Sequence, residues 1–437
     1  MIHVIFSIIK SIILYSINIY TYDIFISQIL NDLVKHNIIF IKVFQALSSN
    51  NLFSLYLNNK LKNYTNHANF YETDVDTKLL LHILDAYDIE LYDTRPINAG
   101  MIALAYKGYI RKSNKIVCIK MKRLNIEERI TCGYNEFKYF YNMLKFISGY
   151  FGFNDIVNSL SSFIESENYI ISQCDFQNEI TVLKRMKREI NNIFEEHQLK
   201  SLDKIVIPNV YNFLSETNEN NENNETNDFE NQYIVMDFLE GTSCFEVENK
   251  YDCLYTLSTF VFTNILLISL FHTDLHPGNI ICMPEGKLGI IDFGMSIELT
   301  VNLKNGLINI SQLLLTKKTN KKNEKNEKTD YLQSFKNMLE PKLDTSILTT
   351  NEYAEINSIL EELFTNLYSG KLTEYDIHMY LKKLYNSNEK FKNYKISLDC
   401  IKMLLGYTMF NASLLSLTTD TNLINQIQEE ILTDIFT

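Results

Sequence analysis

FHTDLHPGNIICMPEGKLGIIDFG, residues Phe271 to Gly294, is the stretch whose reading decides the fold. His272-x-Asp274 is followed five residues later by Asn279, and an apolar run then delivers Asp292-Phe-Gly294. Phosphoryl transfer asks a protein for little covalent chemistry. It asks for a group that orients the attacking oxygen and for oxygens that hold Mg²⁺ on the phosphates. Asp274, Asn279 and Asp292 are side chains of the kinds that can supply that set. Between them, Ile280-Ile281 leads into a turn at Pro284 to Lys287 and Leu288 to Ile291 returns, a hairpin that would bring Asn279 and Asp292 to one metal. Either motif alone is a weak signal. Their order, with a turn and an apolar strand between them, gives the context a motif needs.

His272-Thr-Asp274-Leu-His276-Pro-Gly-Asn279 resembles the H-x-D-x-H-P-G-N element of the UbiB/ADCK family, the aarF-domain atypical kinases linked to coenzyme Q biosynthesis. Ordinary protein kinases lack the His-Pro-Gly. The resemblance implies an α+β, protein-kinase-like two-lobed fold with a helical N-terminal extension, Mg²⁺-dependent ATP binding, and transfer or hydrolysis of the γ-phosphate. Asp274 would then orient or deprotonate the attacking hydroxyl or water, and Asn279 and Asp292 would bind metal, while His272 and His276 would buttress the loop.

Working outward, Lys115 to Lys122 alternates as a strand and carries the kinase third-strand pattern as Val117-Cys-Ile-Lys120. Lys120 is the candidate for the α- and β-phosphates; Lys122 points the same way and is the alternative, and Arg123 is expected to be solvated. Upstream, Arg95 to Tyr109 reads as a turn and strand with small residues at Ala99 and Gly100, where backbone amides can approach phosphates. This loop resembles the family's alanine-rich A-A-A-S, reading Asn98, Ala99, Gly100 and Met101 here. Ser172-Gln-Cys-Asp175-Phe-Gln-Asn-Glu179 resembles the family's E-x-D element and the glutamate behind it, with Gln173 in the first acidic place. Glu179 would pair with Lys120; without the family it is a helix-surface glutamate near Lys184 and Arg185. Gln232 to Gly241 matches a kinase hinge, with Met236 to Phe238 facing the adenine edge, or reads simply as a core strand.

Phe40-Ile-Lys42-Val-Phe44-Gln45-Ala-Leu-Ser48 resembles the family's K-x-G-Q-x-x-S element, with Phe44 where glycine is expected. Lys42, Gln45 and Ser48 fall on one helix face. They are either the polar face of an amphipathic helix or, as the resemblance implies, part of a helix laid over the active site. Asp74 to Tyr92 reads as another amphipathic helix.

The remaining organisation follows from composition. The 437 residues carry 46% apolar and 12% aromatic side chains, enough for a proper core. A net charge of -12 speaks against a general nucleic-acid binder. Seven scattered cysteines without CxxC pairs point to reduced thiols in an intracellular, matrix-like compartment. Residues 1–30 form an apolar N-terminal segment. With Lys10 and Asn18 inside it, Met1 to Tyr20 fits a membrane-inserted or interfacial anchor, an extension helix or a cleaved presequence. Residues 31–92 are expected to be a helical extension, 93–241 a small lobe interrupted by the polar, disordered run 216–231, and 242–437 a helical lobe with an exposed loop at 316–330. Tyr251 to Phe271 reads as a buried core helix. The ligands implied are ATP, Mg²⁺, a lipid or quinone-like small molecule, and a membrane surface, with mitochondrial or membrane-associated localisation. Two other classes stay open. One is a catalytically weak pseudokinase scaffold at a membrane; the other is a small-molecule phosphotransferase of the aminoglycoside or choline kinase type.

Overall fold

The computed structural model describes residues 2–48, 60–61, 70–151, 157, 160, 167–211, 229, 231–244, 246–247, 250–319, 330–370, 372, 374–387, 389–390 and 394–437. Most of the polar run 216–231 and residues 320–329 lie outside the described residues. The chain divides into two compact units, residues 1–178 with 210–238 and residues 179–209 with 239–437.

The first unit is built on an antiparallel sheet. Strands β1 (Ile89–Leu91), β2 (Asn98–Ala99), β3 (Ala103–Ile110) and β4 (Lys115–Lys122) are joined by the later strand Tyr233–Asp237, which pairs with β4. The β3–β4 register runs from Ala103 opposite Lys122 to Ile110 opposite Lys115. Alternation sends Leu104, Tyr106, Val117, Ile119 and Met121 to one face, where they pack with Leu79 and Ile83 of the helix Thr77–Ala86. That helix starts where Asp76 accepts hydrogen bonds from the amides of Lys78 and Leu79. It ends at Ala86, and β1 follows at Ile89. The expectation of helix through Tyr92 is therefore corrected: Ile89 to Leu91 pair along the edge of β3, so sheet pairing overrides local helical periodicity.

α1 (Ile2–Ser16) packs on α2 (Tyr22–His36), and a second core in this unit gathers around α2 and α3 (Ile39–Ser48) with the helix Ile126–Phe151. Asn37 starts α3 by accepting from the Ile39 amide at 3.0 Å while its own amide donates to the Gly133 carbonyl at 2.9 Å. Gly133 is required there, because a Cβ would lie 2.4 Å from the Asn37 oxygen. Phe44 is buried in the cluster with Phe40 and Phe137, its ring 6.0 Å from that of Phe40. The position where the family motif has glycine is thus filled by a core aromatic.

The second unit is mainly helical. The helix Phe176–His197 opens in the first unit and runs into the second, which adds Lys250–Thr263, Val301–Thr319, Thr350–Tyr368, Glu374–Ser387, Leu398–Leu417 and Thr421–Phe436. Val301–Thr319 absorbs Thr316 to Thr319, so the expectation of a loop at those four positions is corrected to helix. Two apolar stretches, Lys250–Ile268 and Leu398–Leu417, have the length to cross a membrane; 83% and 61% of them is buried, as suits core helices. All seven cysteines are free thiols.

Candidate active site

The hairpin read from the sequence is present. Strand Ile280–Cys282 pairs antiparallel with Leu288–Ile290, Ile280 opposite Ile290 and Cys282 opposite Leu288. Glu285 and Gly286 turn it with positive φ, and the short strand Ile205–Val206 extends it in parallel. The Ile291 amide donates to the Asn279 carbonyl at 3.0 Å, which locks the start of the hairpin to its end, one residue before Asp292.

A second strand pair closes the site from the other side. Leu270–His272 runs antiparallel to Ser296–Glu298, with His272 opposite Ser296. The Thr273 amide and hydroxyl both donate to the Met295 carbonyl, at 2.9 and 3.1 Å. The backbone leading into Asp274 is therefore tied directly to the backbone leaving Gly294.

Within this frame the polar groups are set by short contacts. Asn279 is 6% exposed, and its Nδ2 donates to the Asp274 carbonyl at 2.8 Å, leaving Oδ1 as its side-chain acceptor. Asp292 sits in the left-handed region at φ 63, a strained conformation for a residue other than glycine. The Gly294 amide donates to Asp292 Oδ1 at 3.4 Å. Glu179 is 1% exposed, and a Cβ built on Gly294 would lie 3.5 Å from its Oε2 and 3.3 Å from Asp292 Oδ1. Glu179 is thus buried against Gly294, and the surface-glutamate alternative is removed. Arg185, one turn and a half on, pairs instead with Glu298.

Both histidines are bound into the loop. His272 is fully buried and its Nδ1 accepts from the Asp274 amide at 3.2 Å. Burial pushes its imidazole below the usual histidine range, against the opposing pull of Asp274 and Asp292. His276 Nδ1 accepts from the Gly278 amide at 3.1 Å and its Nε2 lies 3.9 Å from Asp274 Oδ2.

Sequence reasoning left the last third of the chain without a role, and the structure supplies one. The helix Leu398–Leu417 lies on the loop itself. Ser413 Oγ donates to the Leu275 carbonyl at 2.7 Å, and a Cβ on Gly406 would come 2.7 Å from Thr273 Cα. A lone glycine inside an apolar helix was the available signal, since it costs helix stability unless a neighbour must approach closely.

The other candidates lie in the first unit. Lys120 is on β4 opposite Ala105 and Ile234, its Nζ 5.3 Å from the centre of the Phe176 ring. Lys122, the alternative, is taken: it is buried and its Nζ reaches Glu127 Oε1 at 2.6 Å. Arg123 overturns the expectation of a solvated side chain. It is 1% exposed, pairs with Asp74, and donates from Nε to the Gly100 carbonyl at 2.9 Å. Ala99 is buried on β2 opposite Leu104, and the Gly100 amide donates to the Ala103 carbonyl at 2.9 Å. Met236 lies opposite Cys118, and Phe238 receives the Lys107 ammonium 4.1 Å over its ring. Lys42 is half-buried on α3. The Gln45 side chain lies outside the described residues. Gln173 is buried, and Asp175 accepts from the Asn178 amide at 3.1 Å where the Glu179 helix begins.

Among the described residues no three His, Cys, Asp or Glu side chains converge as a self-sufficient metal cage. That suits Mg²⁺ held on a nucleotide, which takes one or two protein oxygens and completes its shell with phosphate and water. The Ile291–Asn279 backbone bond brings Asn279 and the residue next to Asp292 together at the open end of the hairpin.

A mixed sheet-and-helix architecture carrying HxDxxxxN and DFG on paired strands is that of a kinase-like α+β protein. The ABC1 atypical kinase-like domain matches residues 86–326, more than half of the chain, and the chain belongs to that family, the UbiB/ADCK or aarF-domain proteins, whose general chemistry is that of a kinase-type phosphotransferase. It is similar to the chloroplastic protein Activity of BC1 complex kinase 3 of Arabidopsis thaliana, 25% identical over 46% of this chain and 26% of that protein. Activity of BC1 complex kinase 1 of the same plant is 24% identical over 49% of this chain and 29% of that protein. The chain therefore matches little more than a quarter of the length of these relatives. A solved structure, the Rv3197–erythromycin complex of Mycobacterium tuberculosis, aligns over 82% of this chain and 83% of that one at 13% identity and a TM-score of 0.46.

Proposed function

We infer that the protein binds ATP with Mg²⁺ and transfers or hydrolyses the γ-phosphate, acting as an atypical kinase or ATPase on a small molecule or lipid in support of quinone metabolism. The observation that carries this reading is the double strand clamp that holds Asp274, Asn279 and Asp292 together. In this reading Asn279 and Asp292 hold the metal, which neutralises phosphate charge when bound. Asp274 orients the attacking hydroxyl or water and accepts its proton. Lys120 holds the α- and β-phosphates, with Glu179 its orienting partner. Ala99 and Gly100 line the nucleotide loop, their own amides held by Asn98 Oδ1 at 2.8 Å and the Ala103 carbonyl at 2.9 Å, and the backbone from Met236 to Phe238 meets the adenine edge. The family resemblance implies that Lys42 and Gln45 belong to a helix that takes the place of an open peptide groove, which favours a small acceptor. Retention of Lys120, Glu179, Asp274, Asn279 and Asp292 together speaks against the scaffold alternative. An organellar site accords with the chloroplastic relatives.

Ligand binding to the folded state raises stability by RT ln(1 + [L]/Kd), about 2.7 kcal/mol at a hundredfold excess over Kd. The test is thermal stabilisation by MgATP of the wild type and of Asp292→Asn. A shift in the wild type that needs Mg²⁺ and disappears in Asp292→Asn is expected; equal shifts in both would end this assignment of the metal ligand. The quinone reading stands separately, and unchanged quinone content in cells lacking the protein would remove it.

A membrane surface is the second element of this reading, carried by α1. Ser11 is buried and Ser7 donates to Asp32 of α2, while Phe6, Ile9, Ile12 and Ile13 are exposed together with Lys10 and Ser16. Tyr15, Ile17, Ile19 and Tyr22 are exposed as well. Exposed apolar side chains interspersed with a lysine suit the boundary between lipid and water. Its fifteen residues span about 22 Å, short of the ~30 Å hydrocarbon core, so it suits an interfacial position. Flotation with phosphatidylcholine–phosphatidylglycerol vesicles should be lost in an Ile9→Gln, Ile12→Gln, Ile13→Gln triple variant.

A further inference from the structure

The first unit contains a cleft that none of the chemistry above uses. It encloses about 590 Å³, within the range of small-molecule sites, between the end of α2, the start of α3 and the turn from β4 into the helix Ile126–Phe151. One wall is apolar, from Val34, Ile38 and Ile41. The opposite side is polar, and its charge departs from that of the whole chain. Lys35, Arg123 and Arg129 line it against Asp74 and Glu128, three cations to two acids in a protein whose net charge is -12.

The base of the cleft shows why the charge is positive. Asp74 is 3% exposed and accepts from two guanidinium groups, Arg123 on Oδ2 and Arg129 on Oδ1 at 2.8 Å, and also from the Tyr71 amide at 3.1 Å. One carboxylate between two guanidiniums leaves a formal positive charge, with Asp74 and Arg123 buried beneath the more open Arg129. Arg129 remains about two-fifths exposed, and Lys35 is exposed at the rim. An arginine presents five donors in a fixed fork, so Arg129 has donors beyond the one on Asp74 for a planar or tetrahedral anion.

We propose that this cleft is a binding site for a small organic anion, an apolar body carrying one carboxylate or phosphate group, with the anionic head on Arg129 and Lys35 and the body against Val34, Ile38 and Ile41. The site is separate from the nucleotide chemistry and does not depend on it.

Cys132 provides a direct readout, because it lines the cleft and is the exposed one of the seven thiols. Its alkylation by a small maleimide, followed by peptide mass spectrometry, reports occupancy. The probes are octanoate and octyl phosphate, with octanol and inorganic phosphate carrying one feature each. At ten times its Kd an anionic probe should slow Cys132 alkylation roughly tenfold, since only about one site in eleven stays free. Octanoate and octyl phosphate together distinguish the two head groups, and protection by either supports the site. Lys35→Glu, an exposed change that leaves the fold alone, should weaken protection, and Arg129→Gln should remove it. Absence of protection by both anionic probes, equal protection by octanol, or unchanged protection in Lys35→Glu would overturn the proposal.

Discussion

Asp74 and Asp292 are two acids in different units, and the contrast between them separates structural from chemical use of a carboxylate. Asp74 is saturated: both of its oxygens meet arginines and a backbone amide reaches it as well. Breaking such a buried cluster strands charge without a partner, so the cluster is costly to disturb and has little freedom to bind anything else. Asp292 is held differently, in a left-handed backbone conformation between two strand pairs, with the Gly294 amide at 3.4 Å from its Oδ1. Strain at a site of this kind persists because the surrounding pairing over-determines it. One acid is locked by its side chain and the other is aimed by its backbone.

Four substitutions would break or sharpen that contrast. Asp274→Asn is expected to lower turnover by roughly 10²–10⁴ while the MgATP-induced thermal shift survives, because it removes a proton acceptor and leaves the metal pair in place. Full turnover in this variant would detach the loop from the chemistry. Asp74→Asn should cost roughly 3–5 kcal/mol in chemical denaturation, the penalty of leaving buried arginines short of a counter-charge. A neutral effect would mean that the node is not the structural lock described here. Gly406→Val should cost about 1–3 kcal/mol from overpacking against Thr273 and reduce turnover through the displaced loop, read from denaturation and kinetics together. Asp292→Gly has the smallest and the opposite effect: relief of the positive φ should raise stability by about 0.5–1 kcal/mol while MgATP stabilisation disappears. If Asp292→Gly were instead destabilised, Asp292 would be a structural acid like Asp74.

The loop and hairpin were legible because their determinants are local. His272, Asp274 and Asn279 lie within eight residues, the turn at Pro284 to Lys287 is written in its own composition, alternation marked β4, and a turn followed by small residues marked β3. Positions whose outcome rests on distant partners were read less well. Periodicity made Ile89 to Leu91 helical until β3 claimed them as an edge strand. Arg123 follows a strand and reads as solvated, yet Asp74, forty-nine positions earlier in the chain, draws it inside. Phe44 looked like a departure from a glycine motif, and it is a core residue supplied with Phe40 and Phe137 as neighbours.

By itself the sequence determined the class of the protein, the order of its candidate groups and the hairpin that joins two of them, since these depend on spacing and turn chemistry along a few residues. Only the tertiary structure paired Lys122 with Glu127, buried Glu179 against Gly294, and set the helix Leu398–Leu417 on the loop through Gly406 and Ser413. Those outcomes depend on which side chains converge from far along the chain, and burial and charge pairing at such meetings are properties of the packed molecule.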